Sequence, residues 1–333
     1  MKKYASSTDV ARLAGVSQSA VSRTYKPGGS VSEETRRKVL EAAEKLEYRP
    51  SMIPRIMLTH RSNLIAIVIG GMYNPFYATV LERLTAKLQE TGHQVLLVHV
   101  ESGHSLDAII PRLASYRVDA IVSALAILSP KSADDLARLK IPVVSFNTPV
   151  KNEWVSSVSC DNANGARQVA DLFIKLGGRS FGYIGGPSES PANQERLSGF
   201  RERLAERDIT EVAVVGGDFR YEDGFEIAIE MFSRPNPPDA IFCANDLLAI
   251  GALDALRKKV GLRVPEDVLV AGFDDIPEAS WTAYDLTTLV QDAPRMVDEA
   301  LRILRASLAA NASVGEVRIV IPAKLVERGT TRR

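Results

Sequence analysis

Cysteine is nearly absent from this 333-residue sequence, with only Cys160 and Cys243, far apart along the chain. A disulfide framework is therefore excluded, and two unpaired thiols suit a reducing compartment. Long apolar runs are missing too. The longest, residues 64–69, falls far short of the roughly 20 residues that span a bilayer, so no membrane partner is expected. No apolar stretch of signal-peptide length follows Met1-Lys2-Lys3-Tyr4, so a cytoplasmic location is expected rather than export. Histidine is equally scarce. His60, His93, His99 and His104 form no i,i+4 pair with a following Glu, so no metal site is expected. Gly185-Gly186 and Gly216-Gly217 do not extend to dinucleotide or phosphate-loop spacing, and Gly186-Pro187-Ser188-Glu189-Ser190 lacks the second Gly of a nucleophile elbow. The sequence thus offers no catalytic residue and implies no cofactor.

Net charge is also missing, because 41 basic side chains balance 41 acidic ones. The balance is an average over two unlike parts. Residues 1–61 hold twelve basic and six acidic groups, a net +6, and the remaining 272 residues hold 29 and 35, a net −6. A small basic module therefore precedes a large acidic body, and a basic patch counts by its location rather than by the whole-chain sum. The rest of the composition, 45% hydrophobic and 25% charged, is that of an ordinary globular chain long enough for two or more domains.

The basic module reads as three short helices. Val10, Leu13 and Ala14 give the first an apolar stripe, Ser7 or Thr8 can cap it and Gly15 stops it. Ser17 caps a second helix whose inner face is Ala20 and Val21, and Pro27-Gly28-Gly29 forms a loop. Ser32 then caps a third helix with Val39, Leu40, Ala43 and Leu46 at helical spacing. Two short helices joined through a glycine turn form a helix-turn-helix, whose second helix presents side chains to the DNA major groove. Periodicity alone equally allows a generic helix pair.

The wording of the segment is more specific. Residues 8–17 (TDVARLAGVS), 20–23 (AVSR), 31–40 (VSEETRRKVL) and Tyr48-Arg49-Pro50 closely resemble the DNA-binding domain of the lactose repressor (LacI/GalR) family of bacterial transcription regulators. The resemblance implies that Gln18, Ser19 and Arg23 read bases and that Ser17 and Ser32 touch phosphate. It also implies that Thr8, Ser22 and Lys26 contact double-stranded operator DNA. The chemistry agrees, since Arg suits guanine, Gln suits adenine, and hydroxyls at helix starts bind phosphate.

Residues 51–61 fall where the family has its hinge helix, which orders on operator DNA and pushes an apolar residue into a minor-groove step. By resemblance Ser51, Pro54, Arg55 and Met57 belong to this contact, with Met57 as the wedge. Pro54 replaces the family's usual Ala. If Ser51 is the cap, Pro54 is the third helical residue, whose N–H would lack an intrahelical partner in any case. An unstructured linker in the DNA-free state is the alternative.

From Leu64 onward, β-branched runs alternate with helical patterns. The first series comprises strands 65–69, 95–98, 120–123 and 143–145 with helices from Phe76 to Thr91 and near 105–117. The second runs through helix 162–176, strand 181–184, helix 192–206, strand 212–215, helix 221–232, strand 240–243, helix 245–258 and strand 269–272. Helix 294–309 and strand 317–322 follow both, so the chain is expected to cross between the lobes more than once. Such alternation predicts parallel sheets covered by helices, and two doubly wound lobes bind small molecules at the carboxyl ends of their strands.

This body resembles the family's sugar-binding core, which looks like periplasmic sugar-binding proteins, through Asn74-Pro75-Phe76, Asp161-Asn162, residues 195–200 (ERLSGF), Ala244-Asn245-Asp246, residues 272–277 (GFDDIP) and Leu286-Thr287-Thr288. The expected fold is therefore an all-α helix-turn-helix domain, 1–50, a hinge, 51–61, and an α/β periplasmic-binding-protein-like core of two parallel-sheet lobes, 62–333. Within the core the N-lobe takes about 62–161 and 291–320, and the C-lobe about 162–290 and 321–330. By position, Phe76, Asn147, Arg196, Phe219, Asn245, Asp274 and Gln291 contact a sugar or sugar-derivative effector. Their side chains suit a polyol, with paired donors and acceptors for hydroxyls and Phe faces for a ring. Arg196 and Asp274 equally suit a structural ion pair, and a lone Phe suits the core. The resemblance implies a homodimeric repressor controlled by that effector. The absence of an apolar heptad tail before Thr330-Thr331-Arg332-Arg333 favours a dimer. A sugar-metabolising α/β enzyme or a solute-binding protein is the alternative, and the basic module counts against both.

Overall fold

A computed structural model describes residues 4–332 apart from 27, 52–55, 57–60, 71–72, 101–108, 125–129, 148–150, 311–312 and 314. The chain forms two compact units, Met1–Ser62 and Asn63–Arg333.

In the first unit, α1 (Ser7–Ala14), α2 (Gln18–Thr24) and α3 (Glu33–Lys45) enclose a small core of Val10, Ala11, Val21, Val39, Ala42 and Ala43. The cap of α1 is Ser6, one residue before the expected Ser7 or Thr8. Only Ser6 stands three residues before Asp9, so its hydroxyl accepts from the Asp9 N–H (3.2 Å) while the Asp9 carboxylate accepts from the Ser6 N–H (3.0 Å). Gly15 ends the helix in the left-handed conformation, φ 66°, and the chain turns directly into α2.

The second unit holds two six-stranded sheets. The first lobe is built from β1 (Leu64–Ile69), α4 (Pro75–Glu90), β2 (Gln94–His99), α5 (Ile110–Ser115), β3 (Ala120–Ala124), α6 (Pro130–Arg138), β4 (Val143–Phe146) and β5 (Val155–Cys160). The second lobe follows with α7 (Asn162–Lys175), β6 (Phe181–Gly185), α8 (Pro191–Ala205), β7 (Val212–Gly216), α9 (Tyr221–Ser233), β8 (Ala240–Cys243), α10 (Asp246–Ala255), β9 (Leu269–Asp274) and β10 (Thr287–Val290). The chain then returns through α11 (Ala293–Ala310) to β11 (Arg318–Ile321) in the first sheet and ends with β12 (Lys324–Val326) in the second.

Strand order is β11-β5-β4-β3-β1-β2 in one sheet and β12-β10-β9-β8-β6-β7 in the other. Among the described residues every pairing of named strands is parallel except the edge pair β10 with β12, which is antiparallel. Central strands β1, β4, β6, β8 and β9 are almost wholly buried, as apolar runs covered on both faces by helices should be. The crossovers place the carboxyl ends of β1, β4 and β5 opposite those of β8, β9 and β10, and the polar side chains described below gather there.

Candidate functional site

The first candidate surface lies on α2. Ser17 caps it, its hydroxyl accepting from the Ala20 N–H, and the helix buries Ala20, Val21 and Thr24. This packing leaves Gln18, Ser19, Ser22 and Arg23 exposed on the opposite side, with Lys26 exposed just beyond. Gln18 donates to the Ser7 hydroxyl (2.8 Å), which ties the start of α2 to α1, while Ser17 and Ser19 share a hydroxyl hydrogen bond (2.9 Å). Thr8 and Ser32 are exposed at the starts of α1 and α3, so their hydroxyls and nearby backbone N–H groups can meet an anion. Arg36, for which the sequence carries no local signal, donates to the Thr24 carbonyl (3.1 Å) and so holds the end of α2 to α3. Ser51 is exposed; Pro54, Arg55 and Met57 lie outside the described residues.

The second candidate site is the cleft between the lobes. Asp274 ends β9 with φ 122° and is almost fully buried. Its carboxylate accepts from Gln291 Nε2 (2.6 Å) and from Asn74 Nδ2 (2.7 Å), the latter reaching across from the first lobe. Burial raises its pKa above the ordinary carboxylate value, an effect that nearby Arg196 opposes. Arg196, on α8, is equally buried and stacks its guanidinium 3.6 Å from the centre of the Phe273 ring. Its Nε donates to Asn162 Oδ1 (2.8 Å), and Nη1 donates to the Ala244 carbonyl.

Asn147 follows β4 in a left-handed conformation, φ 56°. Its amide oxygen accepts from the Cys160 N–H (3.1 Å), and its Nδ2 faces Gln291 Oε1 at 3.5 Å. Asn245 caps α10 and donates to the Phe219 carbonyl (3.0 Å). Phe219 is itself left-handed, φ 62°, an uncommon conformation for an aromatic residue. Its ring lies over Gly186, where an added Cβ would come within 2.2 Å of ring carbon. Three of the expected contact residues, Asn147, Phe219 and Asp274, thus occupy backbone conformations that cost free energy, and such residues gather at binding sites. Phe76 is buried in the first turn of α4 and meets Tyr77 edge-on, 5.1 Å between ring centres. The result is a buried set of Arg, Asp, Asn and Gln side chains bounded by aromatic rings.

Comparison with known proteins bears on both surfaces. Residues 8–51 match the model for "Bacterial regulatory proteins, lacI family", and residues 170–331 match a "Periplasmic binding protein-like domain". The HTH-type transcriptional regulator CelR of Thermobifida fusca is 34% identical over 332 residues, covering 96% of each chain. The chain belongs to the lacI family. The HTH-type transcriptional repressor PurR of Photobacterium profundum is 31% identical and aligns over 89% of this chain and 90% of PurR. Among solved structures, the lac repressor dimer bound to operator and the anti-inducer ONPF superposes with TM-score 0.87 at 27% identity, covering 99% of this chain and all of that one. A CelR–cellobiose complex superposes with TM-score 0.74 at 31% identity, covering 98% and 99%.

As a lacI-family member, the chain is a DNA-binding transcriptional regulator and not an enzyme. Its cleft also contains residues absent from the expected site. Asn74 was legible only as the residue before Pro75-Phe76, a helix cap whose Oδ1 accepts from the Phe76 N–H (3.0 Å), yet its other amide atom bonds Asp274. Asn162 orients Arg196, and Tyr77, half-buried, lies beside Asn147. No local signal connects such residues to partners 34 or 200 positions away.

Proposed function

We propose that this protein is a cytoplasmic homodimeric repressor whose affinity for operator DNA is set by a sugar or sugar derivative bound between the core lobes. In this reading residues 1–50 bind DNA, 51–61 form a hinge and 62–333 bind effector and carry the dimer contacts. Gln18, Ser19 and Arg23 read base edges in the major groove, and Ser22 also contacts the DNA. Ser17 and Ser32 meet phosphate, Thr8 and Lys26 also contact the DNA, and Ser51, Pro54, Arg55 and Met57 belong to the hinge contact, with Met57 as the minor-groove wedge. A two-fold dimer places its recognition helices about one helical turn apart on a partly palindromic site.

The observation that carries the effector assignment is the buried Arg196, Asp274, Asn74, Gln291 and Asn147 constellation, which spans both lobes. Hydroxyl groups can exchange with every one of its hydrogen bonds, and Phe76, Phe219 and Asn245 complete the lining. A ligand there that favours one arrangement of the lobes shifts the dimer between DNA-binding and non-binding populations. The cellobiose bound to CelR supports a sugar as the effector class. The test is a thermal-shift screen of the full-length protein against sugars and sugar acids, followed by gel shifts on operator DNA with each hit. A hit that stabilises the protein and changes operator affinity supports the proposal; no hit in either class overturns the sugar assignment.

A further inference from the structure

The rim of the cleft carries a bridge that the expected effector contacts do not include. Tyr73 lies between β1 and α4 of the first lobe and is 43% exposed. Its hydroxyl donates to the backbone carbonyl of Asp218 in the second lobe, at 3.0 Å. Arg220 places its guanidinium 5.4 Å from the centre of the same ring. Partial burial raises the phenol pKa, so the hydroxyl keeps its proton throughout the neutral range.

The segment that receives Tyr73 is unusually well held from its own side. The Asp223 carboxylate accepts from the backbone N–H groups of Asp218 (2.6 Å) and Arg220 (3.2 Å). Asn245 donates to the carbonyl of Phe219 between them. The 218–220 segment is thus a rigid ledge of the second lobe, fixed by that lobe's α9 and α10, and Tyr73 is what reaches it from the first lobe at the rim. Deeper in the cleft, the interlobe bond from Asn74 to Asp274 joins groups that a hydroxylated ligand can displace. The rim bridge uses none of them.

We infer that Tyr73, with Arg220, is a latch that holds the lobes closed over the cleft independently of bound effector. It is a positioning and gating pair, and its place in regulation rests on the effector reading above. A neutral hydrogen bond with a partly exposed cation–π contact shifts such an equilibrium by about 3- to 10-fold.

Hydrogen exchange on the full-length, ligand-free protein tests the latch without reference to any effector or DNA. Tyr73→Phe removes the hydroxyl and keeps the ring; Arg220→Ala removes the cation. Each variant should raise amide exchange about 3- to 10-fold at segments 74–77 and 274–277, on the facing walls of the cleft. The double variant should exceed either one, since the hydrogen bond to Asp218 and the cation–π contact are lost separately. Unchanged exchange at those walls, a rise confined to 217–220, or a uniform rise across the core overturns the latch. Failure of the sugar screen with the exchange effect present would instead overturn the effector reading and leave the latch standing.

Discussion

Arg196 and Asp274 are both almost fully buried, yet their nearest charged atoms stand 3.7 Å apart, while each makes shorter bonds to neutral groups. Arg196 is held by Asn162 and the Ala244 carbonyl, Asp274 by Asn74 and Gln291. The pair is therefore fixed from behind and loosely joined in front, an arrangement that can admit a hydroxyl between the charges. Asp274→Asn keeps the shape and weakens the acceptor. With a sugar that stabilises the wild-type protein, this variant should lose most of the ligand-induced rise in melting temperature while binding operator DNA as tightly in the ligand-free state. An undiminished ligand-induced rise would remove Asp274 from the site.

Arg23 is exposed on α2 beside Gln18 and Ser22, while the opposite side of the helix is buried. Its guanidinium is thus available to a guanine edge, a contact worth about 1–3 kcal/mol of discrimination. In gel shifts, Arg23→Ala should lose roughly 5- to 150-fold in preference for operator over unrelated DNA and retain weak, salt-sensitive binding to both. Equal preference in wild type and variant would refute the recognition-helix assignment.

The helix-turn-helix and most strands were legible because each rests on local pattern: a serine cap, a glycine stop, a β-branched run. The strand β5 was not, since Ser156, Ser157 and Ser159 interrupt its apolar residues, yet Ser156 and Ser157 are buried between neighbouring strands. Thr287 and Thr288 hide β10 in the same way; both are buried because Thr287 bonds the C-terminal segment at Thr331 and Thr288 bonds Asp246. Polar residues in such strands are made acceptable by partners more than 40 positions distant, and nothing local announces them. The resemblance supplied the cleft positions Arg196, Asn245 and Asp274, but not the Asn74 and Tyr73 bonds that join the two lobes.

Gly251 shows how closely α9 and α10 pack. A Cβ there would lie 2.1 Å from the Tyr221 carbonyl oxygen, a backbone atom that cannot yield without moving the helix. Gly251→Ala should therefore destabilise the core by about 1–3 kcal/mol despite the better helix propensity of Ala. Urea unfolding measures it directly. An unchanged or raised midpoint would show that the two helices separate at little cost.

Asp246 is completely buried at the start of α10, where its carboxylate accepts from Thr288 Oγ1 and from the Ile276 N–H (2.9 Å). Burial, then the nearby Asp274 charge, raises its pKa well above the ordinary carboxylate value, outweighing those two hydrogen bonds. A raised pKa means that the folded chain keeps a proton which the unfolded chain has already released. The associated stability is present in full below the unfolded value near 4 and is lost as pH rises through the folded value. Asp274 shifts in the same direction, so the two carboxylates act together. Asn at position 246 can accept from Ile276 and donate to Thr288 with no charge to bury. The melting temperature of Asp246→Asn, measured from pH 5 to 8, should gain on the wild-type protein as pH rises. Parallel curves would show that Asp246 ionises as readily in the folded core as in the unfolded chain.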